Sequence, residues 1–421
     1  MHELGQLQRR TLPAQISRHA VFRRLALIGE HPLLAGLFAL VWYCGFAFCY
    51  NGFQFAQSTH PYYVYLADAL LQGQLALRAV PAQTSDLSFY HGGLYLYWGP
   101  LPALLFLPFV ALFGIATSDI FLTAVLGALN VAMVALLLRQ ASVHGLARLT
   151  RVQRGILVLF FAFGTVHTTL APHGNVWFTG QLVGLLCVLL TYIVALSQRG
   201  WPAFLLCGVA IAGALMSRNH MLFAGIWPAA YLLVQHRRAG WRLVGYTLAG
   251  LAPVALGGAL LLAYNQLRFG SIFDNGLAYH HMAPFFRADY ARYGLFSLHY
   301  LPTNIYYQYI AYPFPMREDS PMGGSLFLLS PVFFGAIVAV IKGYRSWNVW
   351  LLVASMLVVS VPILLLMGTG WVQFGPRYTL DFHVPLLLLT AIGIRRWPMR
   401  VLLLAVAISV VHYVIGAALL P

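Results

Sequence analysis

Apolar runs of roughly 17–21 residues recur along the whole chain, each the length needed to cross ~30 Å of hydrocarbon as a helix. No other feature constrains the fold as strongly. Inside a bilayer the backbone must satisfy its own hydrogen bonds, and runs of this length do so as helices. Composition agrees: 60% of the 421 residues are hydrophobic and 8% charged, whereas a soluble domain carries about 25% charged residues. The chain reads as an all-α polytopic membrane protein, one integral membrane domain over 1–421. It has no soluble module, low-complexity tail, flexible linker or convincing internal repeat.

The net charge of +15 does not point to nucleic acid. The basic residues, all Arg but Lys342, sit in short clusters between apolar runs, which is how a membrane protein sets its orientation. Cys44, Cys49, Cys187 and Cys207 all lie inside apolar runs and read as small core residues. The Arg-rich start is followed by a long first run without a small-residue cleavage pattern, so an uncleaved anchor is expected.

Spanning helices are expected at about 33–50, 119–138, 155–171, 180–197, 202–217, 221–235, 244–263, 326–341, 347–367, 380–394 and 401–420. The segment 100–116, PLPALLFLPFVALFGIA, is apolar but short and broken by Pro100, Pro102 and Pro108. Counted as a crossing, it would invert every later loop. Read as re-entrant or surface-lying, it leaves eleven crossings with the N-terminus inside. The basic N-terminus (1–30) and the other inner loops then hold 18 of the 25 basic residues, and the outer side holds eight of the ten acids. Two long outer loops follow, 51–118 and 264–325, both rich in aromatics, His and Pro and suited to interfacial helices and folded turns. A plasma (inner) membrane location with chemistry on the outer face is the expectation.

Three groups of residues on that face are candidates. Asp68 lies on a short interfacial helix expected from Pro61 to Gly73, where apolar walls raise a carboxyl pKa toward that of a general base; equally, it can solvate the polar side of that helix. Asp86 precedes an expected turn at His91-Gly92-Gly93 and an aromatic run through Tyr95, Tyr97 and Trp98, which suits stacking on a sugar or a membrane belt. Arg218, Arg268 and Arg377 stand at the outer ends of apolar helices. An ionisable residue there costs about 2.5–3.5 kcal/mol to insert, so three guanidiniums on one face suggest an anionic ligand, phosphate above all. Pairing with acids such as Asp381, four residues after Arg377, is the structural alternative. No P-loop, dinucleotide fingerprint or HExxH occurs, and the histidines show no metal-ligand spacing; no cofactor is expected.

The interfacial stretch YYVYLADALLQGQL, the segment YLYWGPLPALLFLPFVALFG and the late FGPRYTLDFHVPLLLL resemble the GT-C membrane glycosyltransferases, most of all the dolichyl-phosphate-mannose protein mannosyltransferase and aminoarabinose transferase branch. The resemblance covers most of the chain in layout through short, degenerate motifs. It implies a large first outer loop over a helical bundle, a polyprenyl-phosphate-linked sugar donor and a loop carboxylate as base. It also implies transfer to a lipid, glycan or protein acceptor, by an inverting, metal-independent route. In the family an acid stands immediately before the interfacial helix, where this chain has Ser58-Thr59-His60. The base therefore falls to Asp86, which is preferred, to Asp68 or to His60. Arg377, then Arg218 and Arg268, would hold the donor phosphate, and Tyr63, His91, Tyr95, Tyr97 and Trp98 would border substrate. A transporter or flippase of an amphipathic anion, or a non-catalytic membrane subunit, would use the same arginines; internal repeats with paired broken helices would mark the transporter.

Overall fold

A computed structural model describes residues 20–52, 54–370 and 373–419. Of the basic N-terminus, residues 1–19 lie outside the described residues, and 20–30 are helical. Among the described residues, seven helices are long and apolar enough to cross a bilayer: Pro32–Tyr50, Asp119–Val143, Val176–Ser197, Gly200–Ser217, Arg242–Phe269, Trp347–Leu365 and Met399–Leu419. The other four expected spans are helical but interrupted. Arg151–Phe163 gives way to the short turn His167–Leu170. Tight 3-10 turns lead into Ile226–Gln235, Phe334–Lys342 and His383–Ile394. Where a span breaks, hydroxyls restore the lost backbone bonds: Ser330 donates to the Gly164 carbonyl at 2.7 Å, and the Ser355 hydroxyl accepts from the Trp227 amide at 3.0 Å. The strands are minimal, an antiparallel hairpin Ser88–Tyr90 with Gly93–Tyr95 and a parallel pair Met322–Gly323 with Gln373–Phe374. The chain is an all-α polytopic membrane protein.

The arginine-rich loops meet at one end of the bundle. Glu30 pairs with Arg154 and, at 3.6 Å, with Arg151. The Gly200 amide reaches His236 at 2.9 Å, and Gln153 donates to the Arg395 carbonyl at 3.3 Å. The aromatic loops meet at the opposite end. Ser58 bonds Asp119, Arg218 pairs with Asp381, and Phe296 bridges to Leu366.

The segment 100–116 forms a helix Leu101–Phe113 and a 3-10 turn Gly114–Ala116, and both its ends lie at the aromatic end. Gly99 abuts the Met216 carbonyl so closely that a Cβ would sit 2.0 Å from its oxygen. At the far end, the Gln57 amide donates to the Ile115 and Thr117 carbonyls. Both ends of the segment are thus held at the aromatic end of the bundle. The stretch after Pro61 is helical over Tyr62–Leu71 and buries Tyr62, Tyr63, Val64 and Leu66.

Burial sorts the spans. Within the apolar windows of Asp119–Val143 and Val176–Ser197, 72% and 78% of residues are buried, so these form the core; for Arg242–Phe269 the figure is 6%. That peripheral helix docks through small residues. A Cβ on Gly208 would meet the Gly250 carbonyl oxygen at 2.1 Å, so the two backbones touch.

Candidate active site

A cavity of about 720 Å³ opens at the aromatic end, lined from both long loops and from helix ends. Asp86 enters it from an unusual backbone. Its φ of +65° is left-handed, a region short polar side chains tolerate better than most. The second loop holds it there: the Asp86 amide donates to the His281 carbonyl at 3.1 Å, the His281 amide to the Leu87 carbonyl at 2.8 Å, and Ser88 bridges His280. The carboxylate is gripped from two sides. The His280 Nε2 lies 2.7 Å from one oxygen, and the Trp177 indole N–H donates to the other at 3.1 Å.

His60 stands beside this acid. Its Nε2 lies 3.1 Å from the Ser85 hydroxyl, its Nδ1 2.8 Å from the Thr59 hydroxyl, and its ring 4.5 Å from that of Trp177. Burial pushes its pKa below the usual imidazole value, against the smaller upward pull of Asn175 and Asp86. Tyr97 and Trp98 stack on each other at 3.9 Å and line the same space. Burial, reinforced by Asp86, pushes the Tyr97 phenol well up, so it stays an O–H donor.

The arginines differ sharply in their partners. Arg218 donates to Asp381 through Nε at 3.1 Å and Nη2 at 3.0 Å. His220 and Gln181 complete the shell of that fully buried carboxylate at 2.7 and 2.9 Å. Arg377 is only 6% exposed, yet among the described residues no carboxylate pairs with it. Its guanidinium lies 4.9–5.9 Å from the rings of Trp177, Phe178 and Tyr378. Among the described residues its side chain bonds the Tyr378 hydroxyl at 3.3 Å, and its Nε has no partner there. Asp381 thus neutralises Arg218, while Arg377, flanked by aromatic rings in the cavity wall, has no counter-ion among the described residues.

The cavity therefore joins Asp86, His60, Tyr97, Trp98, Arg218 and Arg377. Five other candidates stand elsewhere. Asp68 pairs with Arg78 at 3.2 Å near the surface. Arg268 is spent on the carbonyls of Leu96 and Tyr264 and on Asn265, with its guanidinium 3.7 Å from the Tyr264 ring. Tyr63 is buried against Gly180. His91 is exposed at the hairpin turn at φ +45°, stacked on Tyr90, and Tyr95 meets Phe269 edge-on at 5.4 Å. The site also holds His280 and Trp177, which sequence reading did not single out as partners of Asp86; separations of 194 and 91 residues leave no local signal. No group of three or more His, Cys, Asp or Glu among the described residues is placed to hold a metal.

No protein-family model matches the chain, and no curated protein matches its sequence. Its structure is similar to that of ArnT from Cupriavidus metallidurans bound to undecaprenyl phosphate, with a TM-score of 0.48 and 13% identity over 87% of this chain and 60% of that one. It is also similar to the Archaeoglobus fulgidus oligosaccharyltransferase, in its apo form and tethered to an acceptor peptide containing the NVT sequon. There the TM-scores are 0.43 and 0.44, at 13% identity over 91% of this chain and 55% of that one. The chain thus matches 55–60% of the length of these structures.

Proposed function

We propose that this protein is a membrane glycosyltransferase that moves a sugar from a polyprenyl-phosphate donor to an acceptor hydroxyl. The observation that carries the reading is the buried Arg377 guanidinium, without a counter-ion among the described residues, in the same cavity as the clamped Asp86 carboxylate. A buried cation without a counter-ion is costly and is kept where a bound anion completes it. In this reading Arg377, seconded by Arg218, holds the donor phosphate. Asp86 takes the proton of the acceptor hydroxyl as its oxygen bonds to the anomeric carbon. The bond from that carbon to the phosphate oxygen breaks, and polyprenyl phosphate leaves with its charge against the guanidiniums. A single displacement of this kind inverts the anomeric centre, and the arginines supply the positive charge that a metal would otherwise provide.

The arginine-rich end faces the cytoplasm by the positive-inside rule, which puts the cavity on the outer face of the plasma membrane. A transporter of an amphipathic anion would place its site between two related halves at mid-bundle. This cavity lies at helix ends and is lined by residues of the segments 85–98 and 277–295. Incubating the purified protein with a panel of radiolabelled polyprenyl-phosphate sugars, and scoring transfer or hydrolysis, tests the reading. Turnover of at least one donor, lost in Asp86→Asn, is expected; no turnover and no binding across the panel would discard it.

A further inference from the structure

At the arginine-rich end, far from the cavity, two loops are stitched into one surface. The Gly200 amide, at the start of helix Gly200–Ser217, donates to His236 Nε2 at 2.9 Å, and His236 Nδ1 donates to the Leu232 carbonyl at 2.9 Å. Both ring nitrogens are spent in this way, and the imidazole is neutral. The ring meets Phe204 edge-on at 5.4 Å and Tyr246 at 6.0 Å, so helix Arg242–Phe269 is held at the same point. The junction gathers Arg199, Arg237, Arg238 and Arg242, all exposed. Arg199 gives Nη1 to the Leu196 and Gln198 carbonyls at 3.0 and 2.8 Å, and its Nε and Nη2 have no partner among the described residues. No described carboxylate pairs with any of the four. Glu30, the one acid described at this end, is committed to Arg154 and Arg151.

Exposed arginines alone are the ordinary mark of an inner loop. The surroundings of these four go further. Trp201 and Trp241, at the starts of the two helices, are 55% and 83% exposed, and indole rings favour the depth of the lipid headgroups. Along the same helices, Leu206 and Val209 on one and Val244, Leu248 and Leu251 on the other are exposed three or four residues apart. Guanidiniums, indoles and apolar side chains therefore follow one another along the helix axes, as phosphate, glycerol and acyl chains do in a phospholipid. We infer that this junction binds the headgroup of an anionic phospholipid, such as phosphatidylglycerol, from the leaflet at the arginine-rich end. A soluble phosphate would use the arginines and leave the indoles and apolar stripes idle. A zwitterionic headgroup would bring an ammonium against four uncompensated guanidiniums, whereas a phosphodiester with net charge −1 meets them bidentately. Such a lipid ties the loop after Leu196 to the start of helix Arg242–Phe269, of whose apolar window only 6% is buried by protein. The inference stands independently of the transferase reading.

The test adds phosphatidylglycerol, phosphatidylcholine or glycerol 3-phosphate in turn to the full chain in detergent. Native mass spectrometry counts the lipid retained, and thermal unfolding reads the stabilisation. Phosphatidylglycerol is expected to be retained about tenfold or more tighter than phosphatidylcholine, with an affinity that falls as salt rises. Glycerol 3-phosphate at the same concentration should leave the unfolding temperature unchanged. Arg237→Gln with Arg238→Gln should weaken retention of phosphatidylglycerol about tenfold or more, and Trp241→Ala should weaken it as well. Arg395→Gln with Arg396→Gln removes the same charge from another loop at the same end and should leave retention as in the wild type. All five of these side chains are exposed, so each variant should fold. Equal retention of the two lipids overturns the inference, and so does equal stabilisation by glycerol 3-phosphate. Retention that survives the 237/238 pair, or that is lost equally in the 395/396 pair, overturns it too, since either marks diffuse charge in place of a site.

Discussion

Arg377 and Arg218 line one cavity and both flank Tyr378, yet their removal should have opposite consequences for stability. Arg218 balances Asp381, whose side chain is fully buried. Arg218→Met leaves that carboxylate with only His220 and Gln181 as donors, and breaking a buried pair from one side costs about 3–5 kcal/mol. Arg377 balances nothing among the described residues. Arg377→Met removes an uncompensated guanidinium that is 6% exposed, so stability should hold or rise by about 1 kcal/mol. Binding should fall the other way. A phosphate held by a bidentate guanidinium loses two charge-assisted hydrogen bonds, each about 1.5–3 kcal/mol before reorganisation. A net loss of about 2–4 kcal/mol weakens affinity for bare polyprenyl phosphate by about 30- to 1,000-fold. Thermal unfolding in detergent, run beside binding of that lipid, reads both quantities on each variant. An Arg377→Met protein that binds the lipid like the wild type, or that is destabilised as much as Arg218→Met, refutes the assignment of Arg377 as the free phosphate-binding cation.

Asp86→Asn should lower turnover by about 10²–10⁴-fold and leave binding of the bare lipid within about twofold. His280→Ala should slow turnover without changing donor affinity, and His280→Gln, which keeps an N–H donor near Nε2, should recover much of the loss; equal rates in both would remove His280 as the residue that positions Asp86. Asp68→Asn touches only a surface ion pair with Arg78, so both activity and stability should shift by less than about 1 kcal/mol, and a collapse of activity would return Asp68 to the site. A cysteine at position 148 should resist an impermeant thiol reagent in intact cells, since it lies in an arginine-rich loop; labelling there would reverse the proposed orientation.

The helical layout was legible because hydropathy and arginine placement are properties of single segments. The prolines of 100–116 and the charge partition together set that segment apart from the spans, and Gly99 and Gln57 now account for how its two ends are held. The interruptions were less visible. Residues 164–166 and 219–225 contain no proline, and their departures from the α-helix depend on hydroxyls and carbonyls supplied by distant spans. Turn chemistry carried further than spacing: His91-Gly92 does form the hairpin turn between paired strands.

At the site, sequence reasoning found residue types but not their partners, because a partner is a property of the folded bundle. Arg377 and Asp381 sit four residues apart, a spacing that pairs charges on a regular α-helix. The segment Arg377–Phe382 is instead a 3-10 turn, and Asp381 turns to Arg218, 163 residues away. That single exchange decides which cation is left without a counter-ion. Asp68 and Asp86 were both available as first-loop acids, and the sequence favoured Asp86 only through its turn-rich setting before the aromatic run. The structure adds their partners: His280 and His281 of the second loop reach back to Asp86, while Asp68 finds its counter-charge ten residues along in Arg78. A carboxylate in a left-handed turn, fixed by a loop nearly 200 residues distant, is strained backbone held in place by tertiary contacts, and such positions cluster where chemistry is done.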